Sequence, residues 1–155
     1  MSSIFDMPGH LIRRLQQISS SVFADRMRAN GLDLTALQFA TLSVLETNPG
    51  VDQATLAGLL AHDRPTIGGG IDRLAKKGLV ERKPNPDDGR AKLVQLTPAG
   101  TDLLARVRPM VAEIQISILP GLTDEERKEF IRLASIIAEA GNDLSRAPRV
   151  TIAAK

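Results

Sequence analysis

Between Asp52 and Thr97 the chain carries an order of elements that few folds accept: a short helix, a three-residue turn, a second helix, then two strands about a turn-rich tip. Asp52 can cap the first helix, in which Leu56, Ala57 and Leu60 face inward, and "AHD" at 61–63 supplies the turn. The second helix starts near Pro65, whose missing N–H costs nothing in a first turn, and ends at Gly78, a natural C-terminal cap. "LVERK", "PNPDDG" and "RAKLVQLT" then read as strand, tip and returning strand. Two helices across a tight turn, followed directly by a hairpin, spell a winged helix-turn-helix. The expected class is therefore mainly α with a small β-hairpin wing.

The flanks are helical. From Gly9 to about Ala29 the residues Leu11, Leu15, Ile18 and Val22 form a seam of helical period, with Phe23 and Met27 on its shoulder. "TALQ" at 35–38 and "TDEE" at 123–126 have capping-box form and open further helices, the last with Phe130, Leu133, Ala134 and Ile137 inward. Between them Leu103, Val107, Val111, Ile114 and Ile118 mark a long helix with Pro109 inside it. The end, "RAPRVTIAAK", reads as a loose tail.

Three consecutive glycines, Gly68 to Gly70, interrupt the helix whose Ile67, Ile71 and Leu74 point to the core. Each costs roughly 1 kcal/mol of helix propensity relative to Ala, so their presence asks for a reason. At about 100° per residue the outer face carries Pro65, Thr66, Gly69, Asp72, Arg73 and Lys76, with Gly68 and Gly70 on its two shoulders. A helix so stripped can press its backbone into a DNA major groove. Base reading then falls on Arg64, Thr66 and Arg73, either arginine being able to bond guanine bidentately, while Lys76 suits a phosphate. Asp72 would repel phosphate and is better read as an orienting partner for a basic side chain. Tolerance of the glycines by packing alone, and a solvated Arg73, are the plainer alternatives.

At the hairpin tip, Asp88 stands two residues before Arg90, a spacing at which the carboxylate can hold the guanidinium across the turn. A fixed arginine on a narrow projection is a minor-groove probe, because that groove concentrates negative potential. Lys92, at the start of the returning strand, adds a cation to the same edge. Net charge is only +2, but basic residues gather between Arg64 and Lys92.

The run "DRLAKKGLVERKPNPDDGRAKLVQLTPAG", Asp72 to Gly100, resembles the signature of MarR-family transcriptional regulators: R-L-x-x-x-G-L-V, then a wing D-x-R, then L-T-x-x-G. Helix order and length are similar to that family from about Leu11 to Leu144. The resemblance implies an obligate homodimer built by the first and last helices, with a pseudo-palindromic operator as its double-stranded DNA partner. It places helix four, Arg64 to Arg73, in the major groove and the Asp88 and Arg90 pair in the minor. It divides the chain into a helical dimerisation region at 1–34 and 101–146, a winged helix-turn-helix at 35–100 and a flexible tail at 147–155. Repression is the family habit. The triple glycine departs from the Ser, Thr or Val of many relatives.

Members of the family often release DNA when a small phenolic or aromatic acid enters a crevice between the dimer helices and the winged domain. His10, Arg14, Gln17 and Ser21 form a polar stripe on the first helix that can face such a crevice. Arg14 would pair with the carboxylate, His10 would bond a ring substituent, and Arg13 is the rival for the carboxylate. The plainer alternatives are an amphipathic helix with one wet side, and a DNA binder without effector. A metal at His10 is weaker still, since the only other histidine is His62.

The absence of Cys removes disulfides and thiolate chemistry. No segment reads as a signal peptide or membrane span, so a cytoplasmic protein without membrane partner is expected. Phosphate-loop, H-E-x-x-H and Ser-His-Asp patterns are lacking, and Gly68 to Gly70 follow a helix and turn rather than a strand, so neither an enzyme nor a bound cofactor is expected. A winged helix used for protein contacts is the remaining rival class.

Overall fold

A computed structural model describes residues 3–152. Met1 and Ser2 of the expected first dimerisation segment, and residues 153–155 of the expected tail, lie outside that range. The elements are α1 (Pro8–Ala29), α2 (Ala36–Thr47), β1 (Val51–Asp52), α3 (Gln53–Leu59), α4 (Arg64–Lys76), β2 (Val80–Pro84), β3 (Lys92–Leu96), α5 (Pro98–Ser117) and α6 (Asp124–Ala140), with a short 3-10 turn at each end. The chain is mainly helical, with a small antiparallel sheet.

Local chemistry sets most helix starts. Thr35 with Gln38, and Thr123 with Glu126, form reciprocal capping boxes at α2 and α6. Asp52 caps α3 and Thr97 caps α5. Gly78, just beyond α4, has φ +72°, the left-handed conformation in which glycine ends a helix without a Cβ clash.

The core lies where α2, α3, α4, α5 and the sheet meet. Leu42, Leu56, Ile71, Leu74, Val94, Leu104 and Val107 are fully buried there. In α5 the buried row is Leu104, Val107, Val111 and Ile114, so Leu104 takes the place expected of Leu103, which is only partly covered. The helix runs through Pro109 without ending.

The sheet has three strands in the order β1-β3-β2, one more than a hairpin provides. The extra strand is two residues long, pairing Val51 with Val94 and Asp52 with Leu93. No local pattern announces it, since so short a strand is defined by its pairing with β3. Where the sheet meets α5, Thr97 donates its hydroxyl to Gly78 O (2.6 Å) and accepts the Gly100 N–H (3.1 Å). A Cβ at Gly100 would stand 2.0 Å from the Leu79 carbonyl oxygen. The glycine of L-T-x-x-G is thus a contact between backbones.

The two flanking helices behave differently. In α1 the core residues are Phe23 and Met27, 5% and 1% exposed, whereas the expected seam residues Leu11 and Leu15 stay open. The helix packs on α2 and α5, and both its buried residues lie in its second half. α6 buries no side chain at all. Its Phe130, Leu133, Ala134 and Ile137, expected to face inward, instead line a groove of about 550 Å³ opposite Ile12 and Leu15 of α1.

The segment after α6 returns to α3. Asn142 brackets the backbone of Arg149, accepting its N–H at 2.8 Å and donating to its carbonyl at 3.1 Å, and the Val150 N–H bonds Gly58 O at 2.9 Å. Gly58 leaves a gap on α3 that the Val150 side chain fills.

Candidate nucleic-acid interface

Asp63 builds the start of α4. Its carboxylate accepts the Thr66 N–H at 2.8 Å and the Thr66 hydroxyl at 2.7 Å. These bonds, the hydroxyl first, hold the Asp63 carboxyl below its usual range. The consequence for Thr66, an expected base reader, is that its one hydroxyl proton is committed. Its methyl and remaining lone pair are what it can offer a base edge.

Arg64, Pro65, Arg73 and Lys76 are exposed on the outer face as the periodicity requires, and Gly69 lies half-exposed among them. The three glycines turn out to differ. At Gly69 an added Cβ would meet only the Arg73 guanidinium, at 3.6 Å, so that side chain folds back along the bare helix. At Gly68 a Cβ would stand 3.0 Å from Gln53 Nε2, so this glycine makes room for α3 rather than for DNA. Gly70 is buried and an added Cβ would meet nothing within 4 Å, so it is not a shoulder of the outer face.

Gln53 matters because it reaches the wing. Its Oε1 accepts two bonds from Arg82 of β2, both at 3.3 Å, and Arg82 pairs with Asp72 of α4 at 2.7 Å. Asp72 is therefore an orienting partner, as its charge suggested. Gln53, Asp72 and Arg82 brace α3, α4 and the wing against one another. Sequence reading missed Gln53 and Arg82 as a pair because they stand 29 residues apart. Lys77 is drawn away to the Asp33 carboxylate at 2.8 Å, which depresses that carboxyl.

At the wing tip, Asp88 Oδ1 accepts the backbone N–H of Arg90 at 3.0 Å, and Asn85 Oδ1 likewise accepts that of Asp87. The expected carboxylate–guanidinium clasp is replaced by a carboxylate–backbone turn. A two-residue spacing serves both, and the short Asp side chain reaches the nearer N–H first. Among the described residues the Arg90 guanidinium has no ion pair.

Arg64, Arg90 and Lys92, far apart in sequence, line one recess of about 270 Å³ with Asp52, Gln53 and Ala54. Three cations from α4 and the wing thus converge at one place. Asp52 is the one anion there, and its acceptor capacity is largely used by Thr55, through N–H at 2.8 Å and hydroxyl at 2.6 Å. Burial pushes its carboxyl up, and the Thr55 bonds outweigh this and hold it low.

The candidate effector residues are not brought together at a crevice. His10, Arg13, Arg14 and Gln17 lie on the side of α1 opposite Ile12, Leu15, Gln16 and Ser19, at about 100° per residue. His10 packs edge-to-face with Phe5 at 5.4 Å. The crevice between α1 and the helix-turn-helix, about 790 Å³, is instead lined by Gln16, Ser20, Phe23, Met27, Arg28 and His62, among others. The stripe faces away from this crevice within the single chain. Among the described residues no group of His, Asp or Glu could hold a metal, and no helix is long and apolar enough to cross a membrane.

Comparison with known proteins adds names to this geometry. A profile described as "MarR family" matches residues 32–91. The HTH-type transcriptional repressor NicR of Pseudomonas putida is 32% identical over 130 residues, covering 84% of this chain and 81% of that protein. The crystal structure of the PcaV transcriptional regulator from Streptomyces coelicolor with its natural ligand superimposes at a TM-score of 0.81, with 31% identity, over 91% of this chain and 98% of the other. Bordetella bronchiseptica BpsR, whose DNA binding is regulated by 6-hydroxynicotinic acid, matches at 0.82 with 29% identity, over 90% and 98%.

Proposed function

We propose that this chain, which belongs to the MarR family of transcriptional regulators, acts as a homodimeric repressor of a pseudo-palindromic operator and is released from it by a small aromatic or phenolic acid. The observation that carries the DNA reading is the convergence of Arg64, Arg90 and Lys92 at the recess between α4 and the wing. A phosphate there would meet three donors from two elements, which fixes register before any base is read. Arg73 and the N-terminal residues of α4 then enter the major groove, Lys76 meets backbone, and the wing tip stiffened by Asp88 lies along the minor groove, where Arg90 can swing from the phosphate to the groove floor. Residues 35–100 form the DNA-binding unit, and 1–34 with 101–146 the dimerisation region. Two copies place their recognition helices about one DNA turn, roughly 10 bp, apart.

For the effector, the crevice beside Gln16, Ser20 and His62 is favoured over the outward stripe of His10 and Arg14. It joins an apolar floor, Phe23 and Met27, to a few polar groups, the pattern of a small-molecule site. The ligand of BpsR, an aromatic acid, supports the chemical class. Release requires that the acid bind the DNA-incompetent arrangement of the lobes better than the competent one.

The test is selection of bound duplexes from a fragmented genomic library at moderate salt, with and without 6-hydroxynicotinic acid and other simple aromatic acids. An enriched pseudo-palindrome lost on adding an acid supports both parts. Enrichment indifferent to every acid would leave a DNA binder without such an effector, and no enrichment at any salt would favour a protein partner.

A further inference from the structure

The segment after α6 returns to the helix-turn-helix and is seated there by two contacts of Val150 with Gly58, while a third contact braces the segment itself. The Val150 N–H bonds Gly58 O near the C-terminal end of α3. Gly58 has no side chain, and an added Cβ would fall 2.6 Å from a γ-carbon of Val150, so the valine occupies the volume the glycine vacates. Asn142 clamps Arg149 through paired backbone bonds, fixing the turn that delivers Val150.

The seat is next to the turn that aims α4. Gly58 O also accepts the Ala61 N–H, at 3.2 Å, and Ala61 stands at φ +52°, a left-handed conformation that strains a residue bearing a side chain. The Val150 bond therefore adds a second donor to the carbonyl that holds this strained turn. α6 itself buries no side chain against the winged unit.

We infer that residues 142–150 are a strap through which α6 positions α3 and the α3–α4 turn, with Gly58, Asn142 and Val150 as its positioning residues. The strap sets the angle between the dimer-forming helices and the reading head, and so how sharply the two heads of a dimer select half-site spacing. This rests on the reading of α6 as a dimerisation helix and of α4 as the DNA reader.

The chain has no cysteine, so an introduced pair is free of background. The Val150 Cβ lies 3.5 Å from the position of a Gly58 Cβ, at the short end of the range that disulfides span. The double variant Gly58→Cys, Val150→Cys, oxidised under mild conditions, should form a bond within one chain. Its oxidised form should select operator spacing as wild type does. Val150→Pro, which deletes the N–H in an exposed segment, and Asn142→Ala should remain dimeric by sedimentation yet bind the selected operator about fivefold more weakly, with a flatter dependence on spacing. A bond formed only between chains, or none, would overturn the strap. Wild-type affinity and spacing dependence in both Val150→Pro and Asn142→Ala would overturn its role in positioning. Should wild type select no duplex, the regulator reading fails alone. The strap is then judged by hydrogen exchange at the Ala61 and His62 amides, faster in Val150→Pro if it holds them and unchanged if it does not.

Discussion

The winged unit and the helical arms are made of similar residues and end in opposite conditions. In the winged unit the apolar side chains of α2, α3, α4 and the sheet cover one another, and what faces out is Arg64, Arg73, Lys76, Arg90 and Lys92. In the arms, Leu11, Ile12, Leu15, Ile131, Leu133 and Ile137 are open to solvent, Ile137 at 65%. A chain that leaves apolar surface in water, where burial would stabilise it by about 25 cal/mol per Å², has not finished burying it. One region is complete within a single chain, and the other leaves the apolar surface that the proposed second copy would cover.

The largest test falls on the winged unit. Gly100→Ala drives a Cβ into the Leu79 carbonyl, backbone against backbone, and should destabilise the fold by about 3 kcal/mol or more, read as a lowered urea midpoint. A change under about 0.5 kcal/mol would mean that α5 and the sheet are not joined there. Next comes the opposite arm. Ile137→Glu should yield a monomer by sedimentation, with the winged unit still cooperatively folded and operator affinity lower by about a hundredfold, because the second half-site is no longer tethered. A variant that stays dimeric would break the contrast between the regions.

Smaller effects sharpen it. Arg82→Ala removes the brace while leaving the outward cations in place, and should cost about tenfold in operator affinity. Arg90→Ala should cost less, about threefold to tenfold, concentrated on A·T-rich flanks, and lower the salt slope by roughly one. A slope lowered in Arg82→Ala and unchanged in Arg90→Ala would place Arg82, not the wing tip, at the DNA. The smallest effect is acid dependence. Asp63 and Asp52 have carboxyls held below their ordinary range, so their contribution to stability is complete above the unfolded pKa, about 4, and is lost as pH falls through the lower folded values. Asp63→Asn and Asp52→Asn should each flatten the fall in stability below about pH 4 measured by chemical denaturation.

Features whose cause lies within a few residues are legible in the amino-acid sequence. Thr35 with Gln38 and Thr123 with Glu126 cap as their spacing says, Gly78 ends α4, and Ile67, Ile71 and Leu74 are buried. The order of helices and strands, and the outward set on α4, follow from the same short-range rules. The departures share a different cause. Whether Asp88 binds a guanidinium or an N–H depends on a turn geometry that both would satisfy. Whether Leu11 and Leu15 are covered depends on how far α1 runs beyond the rest of the chain, which its period does not encode.

What the sequence alone determined is therefore the set of elements and the chemistry each presents, because capping, periodicity and turn preference act between neighbours on the chain. Only the tertiary structure decided which of those presentations meet. β1 exists because β3 offers an edge, and the glycines divide their tasks because Gln53 and Arg73 come to two of them and not to the third. Val150 is fixed because Gly58, 92 residues earlier (150 − 58), leaves room for it. Such contacts join residues whose separation along the chain carries no signal, and only the packed fold supplies the distance at which they act.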